Sequence, residues 1–210
     1  MVKVHAVPPA TFDVRGRDDV RPFRDPVWRV FRTAGRHPVR WNELRRFGPL
    51  PGMRFDPHPP PARLHRDIGV LYAATRPVTA LAEVFESTRV IDRRAGGATI
   101  ASWTPTRTLE LLDLTSNWPV RNGAAASLQM MDEKSVTQAW AQRIFEQLGH
   151  SVDGLHHLSS VTNEPVVTLF PRVEAVHAFP VRPDFVTMLD APAADVLVAQ
   201  AVARLGYGVV

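Results

Sequence analysis

Apolar and polar positions along the chain change period several times, and each change marks an element. In VWRVFR (27–32) apolar and basic side chains are interleaved, and the segment reads as a strand. IGVLYAA (68–74) is a short apolar run with β-branched and aromatic members, and reads as a buried strand. Directly after it the period lengthens. In PVTALAEVFES, Val78, Leu81, Ala82 and Phe85 recur at i, i+3, i+4 and i+7, the stripe of a helix that faces a core. Thr75 offers this helix an N-cap and Pro77 sits in its first turn. Glu83 falls beside the stripe, at its boundary. Residues 98–103 and 108–114 predict two more strands. Val136, Trp140, Ile144 and Leu148 at fourfold spacing predict a longer helix that Gly149 ends in the left-handed conformation. Strands follow around 152–160 and 165–171, and Asp190 caps a last helix closed by Gly206. This irregular interleaving predicts an α+β fold with mixed or antiparallel sheets and flanking helices, rather than a doubly wound sheet.

The first third departs from this regularity because it holds most of the 19 prolines, including Pro57 and Pro59 to Pro61. Proline fixes φ and removes a backbone donor, so extended segments and ordered loops are expected there, with little helix. At 210 residues and 45% apolar content the chain suits a single domain. We expect an extended, basic, proline-rich segment over 1–26 ahead of a domain spanning 27–210. The absence of cysteine excludes a disulfide framework, a thiolate metal site and a cysteine nucleophile, and fits a reducing compartment. Charges and prolines interrupt the N-terminus where a signal peptide needs an apolar stretch, and no long apolar span follows; a soluble, cytoplasmic protein with no membrane partner is the expectation. The net charge of +4 is unevenly spread. Residues 1–46 carry 11 Lys+Arg against 5 Asp+Glu, whereas the remainder carries 14 against 16. Such a patch suits an acidic partner or an anionic small molecule. No helix-turn-helix, zinc spacing or RNP-type strand accompanies it, so direct nucleic-acid binding is not expected.

No glycine-rich nucleotide loop, metal signature or serine-hydrolase elbow is present. The informative residues are scattered: Arg54 in GMRFDP after a turn at Gly52, Tyr72 near the end of a buried strand, Glu83 on the helix that follows, and Ser159 and Ser160 after DGLHHL. His156 and His157 point to opposite faces of one strand and are read as structural or pocket-lining, so no metal is expected.

The segments WRVFR, GMRFDP, VLYAATRPVTALAEVF, LELLDLTS, QAWAQRIF and DGLHHLSSVTNEPVVTLF resemble the RES domain, named for an Arg, a Glu and a Ser. The resemblance runs from about residue 27 to 171 and is most specific at LYAATRPVTALAEVF. It implies a fold similar to ADP-ribosyltransferase toxins. It also implies the toxin half of a RES-Xre toxin–antitoxin pair, with an Xre-type antitoxin as protein partner and NAD as substrate. Degradation of NAD by phosphorolysis, with inorganic phosphate as co-substrate, or by hydrolysis is implied, with protein ADP-ribosylation as the alternative. By motif, the named residues fall on Arg54, Glu83 and Ser159, with Tyr72 and Arg29 at further pocket positions. The chain departs from the pattern at His157, where an aromatic often stands, and Ser160 leaves the serine open by one position. The loop PHPPPARLHRD separates Arg54 from Tyr72.

Chemistry accounts for these residue types. Cleavage of the nicotinamide–ribose bond needs little acid help, because the leaving group is already cationic, but it builds an oxocarbenium-like ribose that a carboxylate such as Glu83 can stabilise. A pyrophosphate suits the planar guanidinium fork of Arg54 and Arg29. Tyr72 can stack on the nicotinamide ring, and Ser159 can orient a ribose hydroxyl or the carboxamide. A third, non-enzymatic reading makes the basic N-terminal segment a binding module and the other residues incidental.

Overall fold

A computed structural model describes residues 7–210; of the expected N-terminal segment, residues 1–6 lie outside it. One mixed sheet contains β1 (Val20–Phe23), β2 (Val27–Arg32), β3 (Leu71–Ala74), β4 (Ala98–Trp103), β5 (Leu109–Asp113), β6 (Gly154–Leu158), β7 (Pro165–Leu169) and β8 (Phe185–Met188). Their spatial order is β1-β5-β6-β7-β3-β2-β4-β8. All neighbours pair antiparallel except β5 and β6, which are parallel. Three longer helices flank the sheet, α1 (Pro77–Phe85), α2 (Lys134–Leu148) and α3 (Asp195–Leu205), beside single helical turns at Trp118–Arg121 and Arg172–Ala175. A parallel pair needs a long crossover, and residues 114–153, with α2 among them, supply the one between β5 and β6. The chain is thus the expected α+β domain with a mixed sheet.

The two-residue period of each strand divides the core. On one face α1 and α3 bury Leu81, Phe85, Val198 and Ala201 against Val30, Ala74, Ile100 and Val166. On the same face, further along the sheet, α2 buries Trp140 and Ile144 with Trp118, Phe55 and Phe12 against Leu112 and Leu155. The opposite face buries Leu71, Val167, Trp103 and Leu111 under loop residues that include Leu44 and Val173. Two helical layers therefore share one sheet face. Tyr72, Thr168 and His157 lie on that face between them, with Thr168 opposite Tyr72 in the β3–β7 register and His157 Nε2 2.9 Å from Thr168 Oγ1.

Several local expectations are corrected. Within the N-terminal segment, β1 pairs with β5 and Phe12 belongs to the core beneath α2. Thr75 does not cap α1: its hydroxyl and its amide both donate to Pro165 O at 3.1 Å, tying the helix entrance to β7, and Arg76 occupies the cap position. Gly149 is right-handed (φ −60°), and glycine is needed there because a Cβ would lie 2.5 Å from Phe145 O. Asp190 is too far upstream to cap α3, which begins after a 3-10 turn at Pro192–Ala194, whereas Gly206 does close it in the left-handed conformation. β6 stops at Leu158, so Ser159 and Ser160 lie in the turn that follows.

Candidate active site

Arg54 is delivered by a braced turn. Met53 N–H donates to Leu50 O at 3.1 Å, and Gln138 Nε2 on α2 donates to Leu50 O and Met53 O at 2.8 and 2.9 Å. Phe55 follows in a left-handed conformation (φ 51°), fully buried, its ring 4.7 Å from that of His157. Asp56 then anchors the turn from below, accepting from Leu50 N–H at 2.9 Å and from Arg45 at 2.8 Å and meeting His58 Nδ1 at 2.5 Å. Burial works to raise the Asp56 pKa, but His58, Arg45 and two backbone amides outweigh it and hold the carboxyl below its ordinary range. Asp56 is thereby committed to Arg45, and Arg54 is left to reach across the seam. Its Nε donates to Met131 O at 3.0 Å, its guanidinium donates to Ser160 Oγ, and Asp132 lies 3.7 Å away.

Glu83 and Ser159 meet at the same seam. The α1 stripe turns Leu81, Ala82 and Phe85 inward, leaving Glu83 at the edge of the buried surface. Ser159 is buried and donates from Oγ to Glu83 Oε1 at 2.5 Å, while the same oxygen accepts from Val161 and Thr162 N–H at 3.1 Å. Thr79 on α1 and Thr162 in this turn share a hydroxyl contact of 3.0 Å, which ties helix and turn together. Although Glu83 presents surface to solvent, the protein crowding its carboxyl pushes its pKa above the ordinary range. The Ser159 hydrogen bond and the charges of Arg54 and Lys134 oppose that rise, and Glu86 adds to it.

The sequence leaves the serine open between Ser159 and Ser160. Strand alternation does not apply in a turn, and both serve: Ser159 holds Glu83 and Ser160 holds Arg54. Lys134, the first residue of α2, was missed. Burial and the nearby Arg54 lower its pKa, and its charge acts on Glu83. No motif marks a lysine at a helix start, where the dipole disfavours it; only that disfavoured position hinted at a role.

Tyr72 projects from β3 onto the seam face, and its buried hydroxyl lies beside Arg45 and Asp56. Burial first, and Asp56 second, push its pKa well above the ordinary tyrosine value, so it stays a neutral phenol. Arg29 does not join this group. Trp28 pairs with Ala74, which shares a face with Tyr72, so the next residue, Arg29, points to the opposite face of the sheet. There it donates to the carbonyls of Arg40, Trp41 and Glu43 at 3.2, 2.9 and 2.9 Å, and burial lowers its pKa to about 10. Arg29 thus braces the 40–43 loop and is not brought together with Arg54. His156 and His157 do face opposite ways: His156 Nδ1 lies 3.2 Å from Asp113 Oδ1, and burial drops the His157 pKa to about 3, leaving it a neutral partner of Thr168. Among the described residues, no group of three or more His, Asp or Glu could hold a metal ion, and no helix is long and apolar enough to cross a membrane.

One helical seam of a mixed sheet thus gathers a carboxylate, two serines and an arginine. The RES domain model covers residues 26–195, and the chain belongs to the RES domain family. Among solved structures it is similar to a chain in the crystal structure of the M. tuberculosis MbcT–MbcA toxin–antitoxin complex, with a TM-score of 0.52 and 14% identity over 87% of this chain and 93% of that one. Comparison with curated proteins finds no match.

Proposed function

We propose that this protein degrades NAD by cleaving the nicotinamide–ribose bond and acts as the toxin of a toxin–antitoxin pair. The observation that carries this reading is the Ser159–Glu83 contact beside Arg54 at the seam of a RES domain. A carboxylate in a partly dry setting is placed to stabilise a cationic ribose far more strongly than it would in water. In the proposed step the C–N bond breaks with its electron pair going to nicotinamide, which leaves neutral. Water or inorganic phosphate then attacks the anomeric carbon from the open side, and for water the surplus proton passes to solvent. Ser159 fixes the carboxylate against rotation. Arg54, with Lys134 beside it, binds the pyrophosphate, exchanging Ser160 and Met131 O for phosphate oxygens; such an exchange replaces neutral acceptors by charged ones and is favourable. Tyr72 supplies an aromatic face.

The membership of a complex in the solved relative supports a partner for this chain too, and we assign it an antitoxin of the Xre type that covers the seam and competes with NAD. A site built from Arg54 and Lys134 attracts a carboxylate-bearing chain end as it attracts pyrophosphate.

The test is to incubate the purified protein with NAD, with and without inorganic phosphate, and to separate the products. ADP-ribose phosphate identifies phosphorolysis, ADP-ribose identifies hydrolysis, and label on a protein identifies a transferase. Unchanged NAD under all conditions, with the protein folded, overturns the proposal.

A further inference from the structure

The two edges of the main sheet are protected differently. β1 carries Arg21 and Pro22 within the strand and Arg24 just after it, the charge and proline that discourage an edge from pairing with another chain. β8 reads FVTM, with neither. Its Val186 and Met188 are 51% and 46% exposed and share one face. The hydrogen-bond phase of β8 is also fixed. Leu189 N–H donates to Ala98 O, so in the antiparallel register with β4 the odd-numbered residues of the strand bond inward, and the backbone groups of Val186 and Met188 point away from the sheet; just before the strand, Asp184 N–H turns inward as well and donates to Ser102 O.

We propose that β8 is a self-recognition edge that pairs antiparallel with β8 of a second copy about a two-fold axis through Val186, joining two eight-stranded sheets into one. The occupant is a second copy because the register centred on Val186 satisfies both backbone and charge and is self-complementary. With Val186 opposite Val186 of the other copy, the two exchange both of their backbone hydrogen bonds. Met188 O is not needed, because Asp184 N–H, the donor opposite it, already bonds to Ser102 O, and Met188 O itself accepts from Ala191 N–H. Arg182 falls opposite Asp190 at both ends of the ladder. Both residues are exposed, and among the described residues neither makes an ion pair within its own chain. The next register, Val186 opposite Met188, requires the occupied Met188 O and sets Asp184 against Asp190 at both ends, a like-charge contact. Charge and carbonyl occupancy thus select the same alignment. The seam that holds Glu83 is three strands away at β3, so the proposal stands apart from the reading of function.

Sedimentation equilibrium of the full chain over a range of concentrations tests this. The parent chain is expected to show a monomer–dimer equilibrium. Val186→Lys, Arg182→Asp or Asp190→Arg alone should weaken dimerisation at least about tenfold, because each sets a charge against an apolar or like-charged partner, and each tenfold is about 1.4 kcal/mol. Combining Arg182→Asp with Asp190→Arg restores opposite charges and should restore the dimer, with circular dichroism unchanged throughout. A parent chain that stays monomeric, single variants that dimerise like the parent, or a double variant that fails to recover would each overturn the proposal.

Discussion

Glu83 couples chemistry to stability. An acid whose folded pKa lies above its unfolded value binds more protons when folded, so its contribution is fully present below the ordinary glutamate range and is lost as pH rises through the raised pKa. The parent chain therefore bears a penalty at pH 7 that Glu83→Gln should remove. We expect that variant to melt higher than the parent at pH 7 and equally at pH 4, while its NAD turnover falls about 100-fold or more. A Gln variant that turns over NAD at the parent rate sinks the role assigned to the carboxylate.

The neighbouring serines should separate by kinetics. Ser159→Ala removes the hydrogen bond that lowers the Glu83 pKa, so the pH–rate profile should shift to higher pH and kcat should fall. Ser160→Ala frees Arg54 and should act on KM, as should Lys134→Ala and Arg54→Lys. Arg29→Lys, by contrast, should lower the melting temperature by disturbing the 40–43 loop with less effect on NAD affinity. Equal KM effects from Arg29→Lys and Arg54→Lys would restore Arg29 to the binding site.

At the scale of elements, the site depends on how closely β6 and β7 approach. Gly154 opens β6 at a point where a Cβ would lie 2.1 Å from Thr168 O, a backbone atom that cannot step aside. Gly154→Ala should therefore cost on the order of 3 kcal/mol and displace the turn that carries both serines, measurable as a lower denaturant midpoint. The Arg54 turn has its own anchor in Asp56. Because its pKa is held down, the stability it provides is present above the ordinary aspartate range and is lost as pH falls through the lowered value. Asp56→Asn leaves Arg45 half-buried without its counter-charge and should destabilise by about 3–5 kcal/mol at pH 7, with the gap to the parent closing in acid.

For the whole molecule, two helical layers on one sheet face create a seam, and the proposed chemistry and its control both fall there. Expression of the chain alone is expected to arrest growth with loss of cellular NAD, and Glu83→Gln should abolish the arrest. The proposed antitoxin should bind with an association rate that falls as salt rises, and Arg36→Glu, within the basic stretch 1–46, should slow it further. A stable complex that still binds NAD with the affinity of the free toxin would refute competition at the seam.

Which residues form strands and helices was largely written in the periodicity of the chain, because burial of one face imposes a period of two or of 3.6 whatever the neighbours are. β2, β4, α2 and the body of α1 follow that rule almost to the residue. The resemblance at LYAATRPVTALAEVF likewise located Tyr72 and Glu83, and the RES model confirms the family. Facing was another matter. That Arg29 lies on the far side of the sheet follows from β2 pairing with β3 through Trp28 and Ala74, a contact between strands distant in sequence. That Ser159 and Ser160 both serve follows from where β6 ends, which is set by its pairing with β7 and not by its own composition. Lys134 joins the group only because the crossover carries the start of α2 to the end of α1. Local sequence set the period of each element; long-range pairing decided which faces meet, and with them the site.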